Sequence, residues 1–338
     1  MLGKMKRAVA MVFPPLRRNE LQRELLAGHQ ASEDRPDSGS AFISVFRFLK
    51  PALEPGDIAT AGQRTAVAQE LGWRAIASGA VAAIEASDQA WFRVELNGVP
   101  VLLPRYTLMT MRHCLHVDQA GHLRLFVETD HWERMRALID PGTLFLDVGA
   151  ATGAMTVPYS ITVPDGAKIV AFEPSRRAMR SLRDTVDRNG GSSRVTLISA
   201  AVSDVQGEAE FFEQPEAATG DVPFLPETSR LGQRDDAFLS RAEAYPVDVV
   251  TLDGMVTKLN LAGHSRIVIK IDVEGYESEV LKGAIKLLTE NSNVFISIDI
   301  HNKPGSEMLT GPDVVSFLSK LGYMIETHGH VVFAQKGS

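Results

Sequence analysis

The stretch Thr143-Leu-Phe-Leu-Asp-Val-Gly-Ala-Ala-Thr-Gly153 decides the fold. Leu144, Phe145 and Leu146 make an apolar run of buried-strand type, and Gly149 and Gly153 let the backbone turn tightly and approach a ligand with no Cβ atoms in the way. A strand that passes through a glycine turn into a helix is a nucleotide-cofactor site in open α/β sheets. Here the acid stands at the strand end, before the glycines, and the spacing is Asp-x-Gly-x-x-x-Gly instead of Gly-x-Gly-x-x-Gly. A carboxylate in that place suits a ligand with a cationic amino-acid part better than a pyrophosphate, which needs a helix N-terminus free of negative charge. S-adenosylmethionine is a ligand of that kind.

Downstream of Thr143, apolar segments alternate with amphipathic ones, which predicts an α/β fold with a doubly wound, mostly parallel sheet. Strands are expected at 143–148, 168–173, 194–199, 266–271 and 293–300. Helices are expected at 175–189, with Met179, Leu182 and Val186 on one face, and at 275–289, with Val280, Ala284 and Leu287. A helix opened by Pro312 and an antiparallel hairpin, 323–327 with 331–335, close the chain. Residues 213–247 break the rhythm with Pro215, Gly220, Pro223, Pro226 and Pro246, and are expected to form a loop or lid over the acceptor.

Upstream, the spacing predicts a smaller α+β region over 1–124 and the main domain over 125–338. A polar, breaker-rich link at 31–40 follows an N-terminal helix, and an alanine-rich helical stretch covers 63–86. Asn97-Gly98 between two apolar runs is a hairpin signal, and a helix is expected from about Glu128 to Leu138.

The chain has 338 residues, 44% of them hydrophobic, enough for a large core. Its net charge of -7 argues against a nucleic-acid-coating surface, so no nucleic-acid partner is expected. The single cysteine, Cys114, rules out an internal disulfide framework and points to the cytoplasm. Pro14-Pro15 cuts short the first apolar run, so no signal peptide is expected, and no stretch approaches the roughly 20 apolar residues of a membrane span. A homo-oligomer is left open.

Glu173 ends the second strand 26 positions after Asp147, where an acid accepts the ribose hydroxyls of an adenosine ligand. Asp272 and Glu274 follow the fourth strand and Asp299 and His301 end the fifth, at the carboxyl edge where open sheets place their ligands. The pair His113…His116 with Cys114 lacks a second ligand pair and is read as surface or packing residues, not a zinc site.

These runs carry a resemblance. Phe145 to Gly153, Phe172-Glu-Pro, Ala200-Ala-Val-Ser-Asp204, Val250-Thr-Leu-Asp253 and above all Ile269-Lys-Ile-Asp-Val-Glu-Gly-Tyr-Glu277 with Val280-Leu-Lys-Gly-Ala284 resemble the FkbM family of methyltransferases, over roughly residues 125–336. The resemblance implies a class I methyltransferase (Rossmann-like) fold and O-methylation of a small molecule, sugar or glycolipid by S-adenosyl-L-methionine. It places Asp147, Gly149, Ala150 and Gly153 at the methionine end, Glu173 at the ribose, Ala201, Ser203 and Asp204 near adenine, and Asp272 and Glu274 at the reacting centre. The chain departs from the family pattern at Ala151, where Asn is frequent, and at Asp299-Ile-His301, where Glu-x-His is frequent.

Since a sulfonium methyl is already electrophilic, the protein has to align acceptor oxygen, methyl carbon and sulfur and to remove the acceptor's proton. His301 is the first candidate base and Asp272 the second. A divalent metal such as Mg²⁺ on Asp272, Glu274 and Asp299 is a rival route to the alkoxide. The competing functions are a nicotinamide-dependent oxidoreductase on the same kind of sheet and a non-catalytic binding module with a degenerate core.

Overall fold

The computed structural model describes residues 79–336 apart from 86, 118–121, 214–216, 220–221, 225–229, 232–241 and 304–306. The predicted N-terminal helix, the 31–40 link and most of the alanine-rich stretch lie outside these residues; of the last, 79–85 is helical.

Two sheets share the main apolar core. The first is built from β1 (Trp91–Leu96), β2 (Val99–Pro104), β3 (Leu115–Val117) and β4 (Leu123–Leu125), in the order β2-β1-β4-β3. Asn97 and Gly98 take positive φ, 49° and 81°, and close the predicted β1–β2 hairpin. A short helix α1 (Arg105–Thr110) follows β2, and α2 (Thr129–Arg136) leads to the large sheet.

That sheet contains β5 (Thr143–Val148), β6 (Lys168–Phe172), β7 (Val195–Ile198), β14 (Arg266–Ile271), β15 (Val294–Asp299), β16 (Tyr323–His328) and β17 (Val331–Lys336). Its order is β16-β17-β15-β14-β5-β6-β7, parallel except for β17, which runs against both neighbours. Every residue of β5 is buried, as a central strand covered on both faces must be. Its side chains alternate between two cores: Leu144, Leu146 and Val148 join one, and Phe145 joins the other. The strand order reverses beside β5, with β6 on one side and β14 on the other, so the crevice at their carboxyl ends is where a ligand belongs.

Helices α3 (Thr156–Thr162) and α4 (Arg176–Arg188) cover the face that also packs against β2. Ser175 caps α4 by accepting the Ala178 N–H at 3.0 Å, and Met179, Leu182 and Val186 are buried, as their spacing predicts. The Asn189 side chain binds both the N–H and the C=O of Leu102, each at 2.8 Å, and the Thr107 and Ser181 hydroxyls lie 2.6 Å apart. The first sheet therefore shares one apolar core with the large one.

Two expectations need correction. The helix expected at 275–289 is two helices, α6 (Glu277–Lys282) and α7 (Ile285–Glu290), preceded in the chain by α5 (Leu252–Lys258). At the break, the Gly283 carbonyl accepts the Asp253 N–H, while the Asp253 carboxylate accepts the N–H groups of Lys286 and Leu287 at the start of α7. A Cβ on Gly283 would sit 2.0 Å from the Ser203 carbonyl, so the close approach requires glycine. The expected loop at 213–247 is strand at both ends. With β8 (Ala201–Val202), β9 (Gly207–Glu213), β12 (Arg230–Leu231) and β13 (Glu243–Val250) form a four-stranded sheet in the order β12-β9-β13-β8, and β10 (Ala217–Thr219) pairs with β11 (Val222–Phe224) between them. Pro246 masked the strand signal; it is tolerated because β8 pairs with β13 only at Val249 and Val250, which leaves that flank of Pro246 without a strand partner among the described residues. The last helix, α8 (Gly311–Lys320), has Pro312 in its first turn, as expected.

Candidate active site

A cavity of about 340 Å³ opens at the carboxyl ends of β5, β6, β14 and β15. Of the residues picked from sequence, Gly149, Glu173, Ala201, Asp272, Glu274, Asp299 and His301 line it together.

The glycine turn forms its floor. Gly149 has φ +82°, its N–H and that of Ala150 donate to the Phe172 carbonyl at 3.0 Å, and an added Cβ would stand 1.8 Å from the Asp272 carbonyl oxygen. Ala151 carries the turn at φ 46° and donates its N–H to Glu173 Oε2 at 2.8 Å, while Ser175 donates to Oε1 at 2.7 Å. Burial pushes the Glu173 carboxyl up to about 7 against the pull of these two donors. Each oxygen keeps a second lone pair, which suits hydroxyl donors such as a ribose diol.

Five expected cofactor residues lie elsewhere. Asp147 has no solvent exposure and sits beneath the turn, with Oδ2 accepting the Thr156 hydroxyl at 2.6 Å; burial raises its pKa. Ala150 is buried behind Ala151, which occupies the wall in its place. Gly153, at φ +100°, serves packing, because a Cβ there would collide with Leu182 and Val157. Ser203 borders a separate shallow depression beside β9 and Asp204 is exposed, so only Ala200, Ala201 and Val202 of that run reach the cavity.

At the other end, His301 Nδ1 lies 2.9 Å from Glu277 Oε1, and Nε2 is 3.6 Å from Asp272 Oδ1 and 3.8 Å from Glu274 Oε1. Burial opposes charge on the imidazole, but these three carboxylates outweigh it and lift His301 to about 9. Burial likewise pushes Asp272 up, yet Lys270 and His301 hold it below the usual carboxylate range. Asp272, Glu274 and His301 are the group of three metal-capable side chains found among the described residues. Asp299 does not join them; burial raises its pKa, and its Oδ1 lies 3.5 Å from His330 Nε2. An imidazole in place of a third carboxylate favours a transition metal over Mg²⁺.

Sequence reasoning passed over Lys270 and Glu128. Lys270 is 2% exposed within β14, in register with Asp147 on β5 and Ser297 on β15. Its ammonium lies 2.7 Å from Glu128 Oε2 and 3.3 Å from Asp272 Oδ2. Burial opposes its charge, but Glu128, Asp272 and Asp147 raise it well above normal. The signal was available: a lysine inside Ile-Val-Ile-Lys-Ile must find buried partners. His131, buried at the same place with Nδ1 2.7 Å from Ser297 Oγ, is driven down to about 3 by burial and by Lys270. His113 and Cys114 stand at the cavity's N-terminal wall and His116 is exposed on β3.

Carboxylates thus outnumber cations around a cavity floored by a glycine turn at the switch point of the sheet, which fits a ligand that joins an adenosine to a sulfonium and an ammonium. Fold and site define a class I S-adenosylmethionine-dependent methyltransferase. The family model of the Methyltransferase FkbM domain matches residues 147–325, more than half of the chain, and the protein belongs to that family. The nicotinamide-dependent reading is thereby overturned. No curated protein matches the chain. Among solved structures, a precorrin-6y C5,15-methyltransferase from Geobacter metallireducens GS-15 is 16% identical over 63% of this chain and 89% of its own, with a TM-score of 0.38. An O-methyltransferase from Bacillus cereus, in complex with SAH, is 12% identical over 62% and 82%, TM-score 0.38. A putative rRNA methylase from Clostridium thermocellum is 10% identical over 62% and 96%, TM-score 0.37.

Proposed function

We propose that the protein moves the methyl group of S-adenosylmethionine to a hydroxyl of a small molecule, sugar or glycolipid, with His301 as the base. The observation that carries this reading is the Glu277–His301 pair: Nδ1 is anchored on a buried carboxylate, which leaves Nε2 on the cavity side beside Asp272 and Glu274. In the ligand-free protein His301 holds a proton near neutral pH. The donor's positive charges, set against Asp272 and Glu274, cancel part of the field that keeps it there. The acceptor O–H then gives its proton to Nε2 as the oxygen attacks the methyl carbon, the C–S bond breaks, and S-adenosylhomocysteine leaves; the proton passes to solvent afterwards. Asp272, held ionised by Lys270, orients the donor and is the second candidate base.

In the N-terminal 1–124 region, Thr110 at the end of α1 and Met111 and Cys114 in the turn after it line the cavity, and so do Phe211 of β9 and Leu231 of β12. These two regions are the acceptor-selecting parts in this reading; most of the expected 213–247 cover lies outside the described residues. The concave site and the net charge of -7 favour a small acceptor over a nucleic acid. No helix among the described residues is long and apolar enough to cross a membrane, and the single cysteine supports a cytoplasmic setting.

A panel of hydroxylated metabolites and glycans, assayed for incorporation of labelled methyl, tests the activity. With a working acceptor, His301→Ala lowers kcat by roughly 10²-fold or more while S-adenosylhomocysteine still binds; near-normal turnover overturns the base assignment. Turnover that survives exhaustive chelation removes the metal route.

A further inference from the structure

We propose that Glu128 is a donor-recognition residue, its carboxylate receiving the α-ammonium of the methionine end, with Lys270 as the positioning residue that holds Glu128 and Asp272 on either side of that ammonium. The inference rests on reading the cavity as the S-adenosylmethionine site.

Glu128 precedes α2 in the left-handed conformation, φ 48° and ψ 46°, and its side chain makes no capping bond to the helix it starts. A non-glycine residue is strained there, and glutamate is not among the side chains that ordinarily cap a helix from that place. The carboxylate instead lies on the cavity wall and ion-pairs with Lys270. Lys270 also reaches Asp272, so the two wall carboxylates lie within the span of one ammonium, and Asp147 stands in register beside the same lysine. One buried cation against three carboxylates leaves room for a second positive charge. Burial holds Glu128 up at about 7 against the pull of Lys270, which leaves the carboxyl receptive to a further positive charge.

Topology selects which cation. Glu173, just after β6, marks the ribose side of β5, whereas Lys270 lies on β14 and Asp272 directly follows it, on the opposite side. A donor laid across the glycine turn with its ribose on Glu173 extends its amino-acid end toward β14, where Glu128 waits.

The test compares three probes by calorimetry: S-adenosylhomocysteine, its N-acetyl derivative, and 5′-methylthioadenosine, which lacks the amino-acid end. In the wild type, N-acetylation costs at least ten-fold in affinity. In Glu128→Gln, S-adenosylhomocysteine weakens by at least ten-fold, the penalty for N-acetylation shrinks, and 5′-methylthioadenosine binds as before; ten-fold to a hundred-fold is the range for losing one charge-assisted hydrogen bond. Equal loss for S-adenosylhomocysteine and 5′-methylthioadenosine makes Glu128 a structural residue and overturns the proposal. So does unchanged affinity for both, or a wild type indifferent to N-acetylation, a readout that needs no variant to fold. A wild type that binds none of the three contradicts the cofactor reading itself, a distinct outcome.

Discussion

The imidazole Nδ1 of His301 lies 2.9 Å from Oε1 of Glu277, a side chain with no solvent exposure that also accepts the Gly275 N–H at 3.0 Å. The pair fixes the ring and, with Asp272 and Glu274, keeps it charged. Replacing Glu277 by Gln leaves the shape and removes one negative charge, so the His301 pKa falls from about 9 by a unit or more, as read from imidazole NMR titration of the ligand-free protein. An unmoved titration contradicts the pairing. Because the folded value lies above the unfolded 6.5, this histidine's stabilising contribution is complete below that pH and is lost as pH rises through about 9. Glu277→Gln reduces that alkaline loss.

Lys270 is 3% exposed at its side chain and sits among Glu128, Asp272 and Asp147. Lys270→Met strands those carboxylates, and urea unfolding should show a loss of about 3–5 kcal/mol. Adding Glu128→Gln to Lys270→Met should restore part of it. A single variant as stable as wild type would mean the lysine is not the counter-ion of this cluster.

Glu173 titrates near 7 in the fold against 4.5 in the free side chain. Its contribution to stability is therefore present below about 4.5 and is lost as pH rises through about 7. Glu173→Gln has no proton to lose, so over that interval its stability relative to wild type improves with pH in the ligand-free state. Parallel stability–pH curves for the two proteins would contradict the burial of this carboxyl.

The turn itself offers a paired test. Gly149→Ala drives a Cβ to 1.8 Å from the Asp272 carbonyl oxygen at a φ of +82°, and should abolish cofactor binding or folding. At Ala151, φ 46°, the strain runs the other way: Asn, which tolerates the left-handed region, should stabilise by up to about 1 kcal/mol in thermal unfolding. A less stable Ala151→Asn would show that the wall has no space for the amide.

Much of this arrangement was legible in the chain. An unbroken apolar strand, a glycine turn and acids at strand ends obey local rules, so β5, the Gly149 turn, Glu173 and the edge that holds Asp272 and His301 could be read directly. What escaped depended on distance in sequence. Glu128 and Lys270 stand far apart in the chain and meet only when the residue that precedes α2 is brought against β14. Asp147 carries the expected residue type but alternation along β5 turns it under the floor. Residues 243–247 were hidden because Pro246 reads as a breaker until its unpaired flank is seen.

The central claim is that the crevice between β6, β5 and β14 holds S-adenosylmethionine. Calorimetric titration of the full chain with S-adenosylhomocysteine tests it most directly. The account predicts one site per chain, with affinity reduced at least ten-fold by Glu173→Ala and no heat from NAD. Absence of binding to the wild type, or binding indifferent to Glu173, would contradict it.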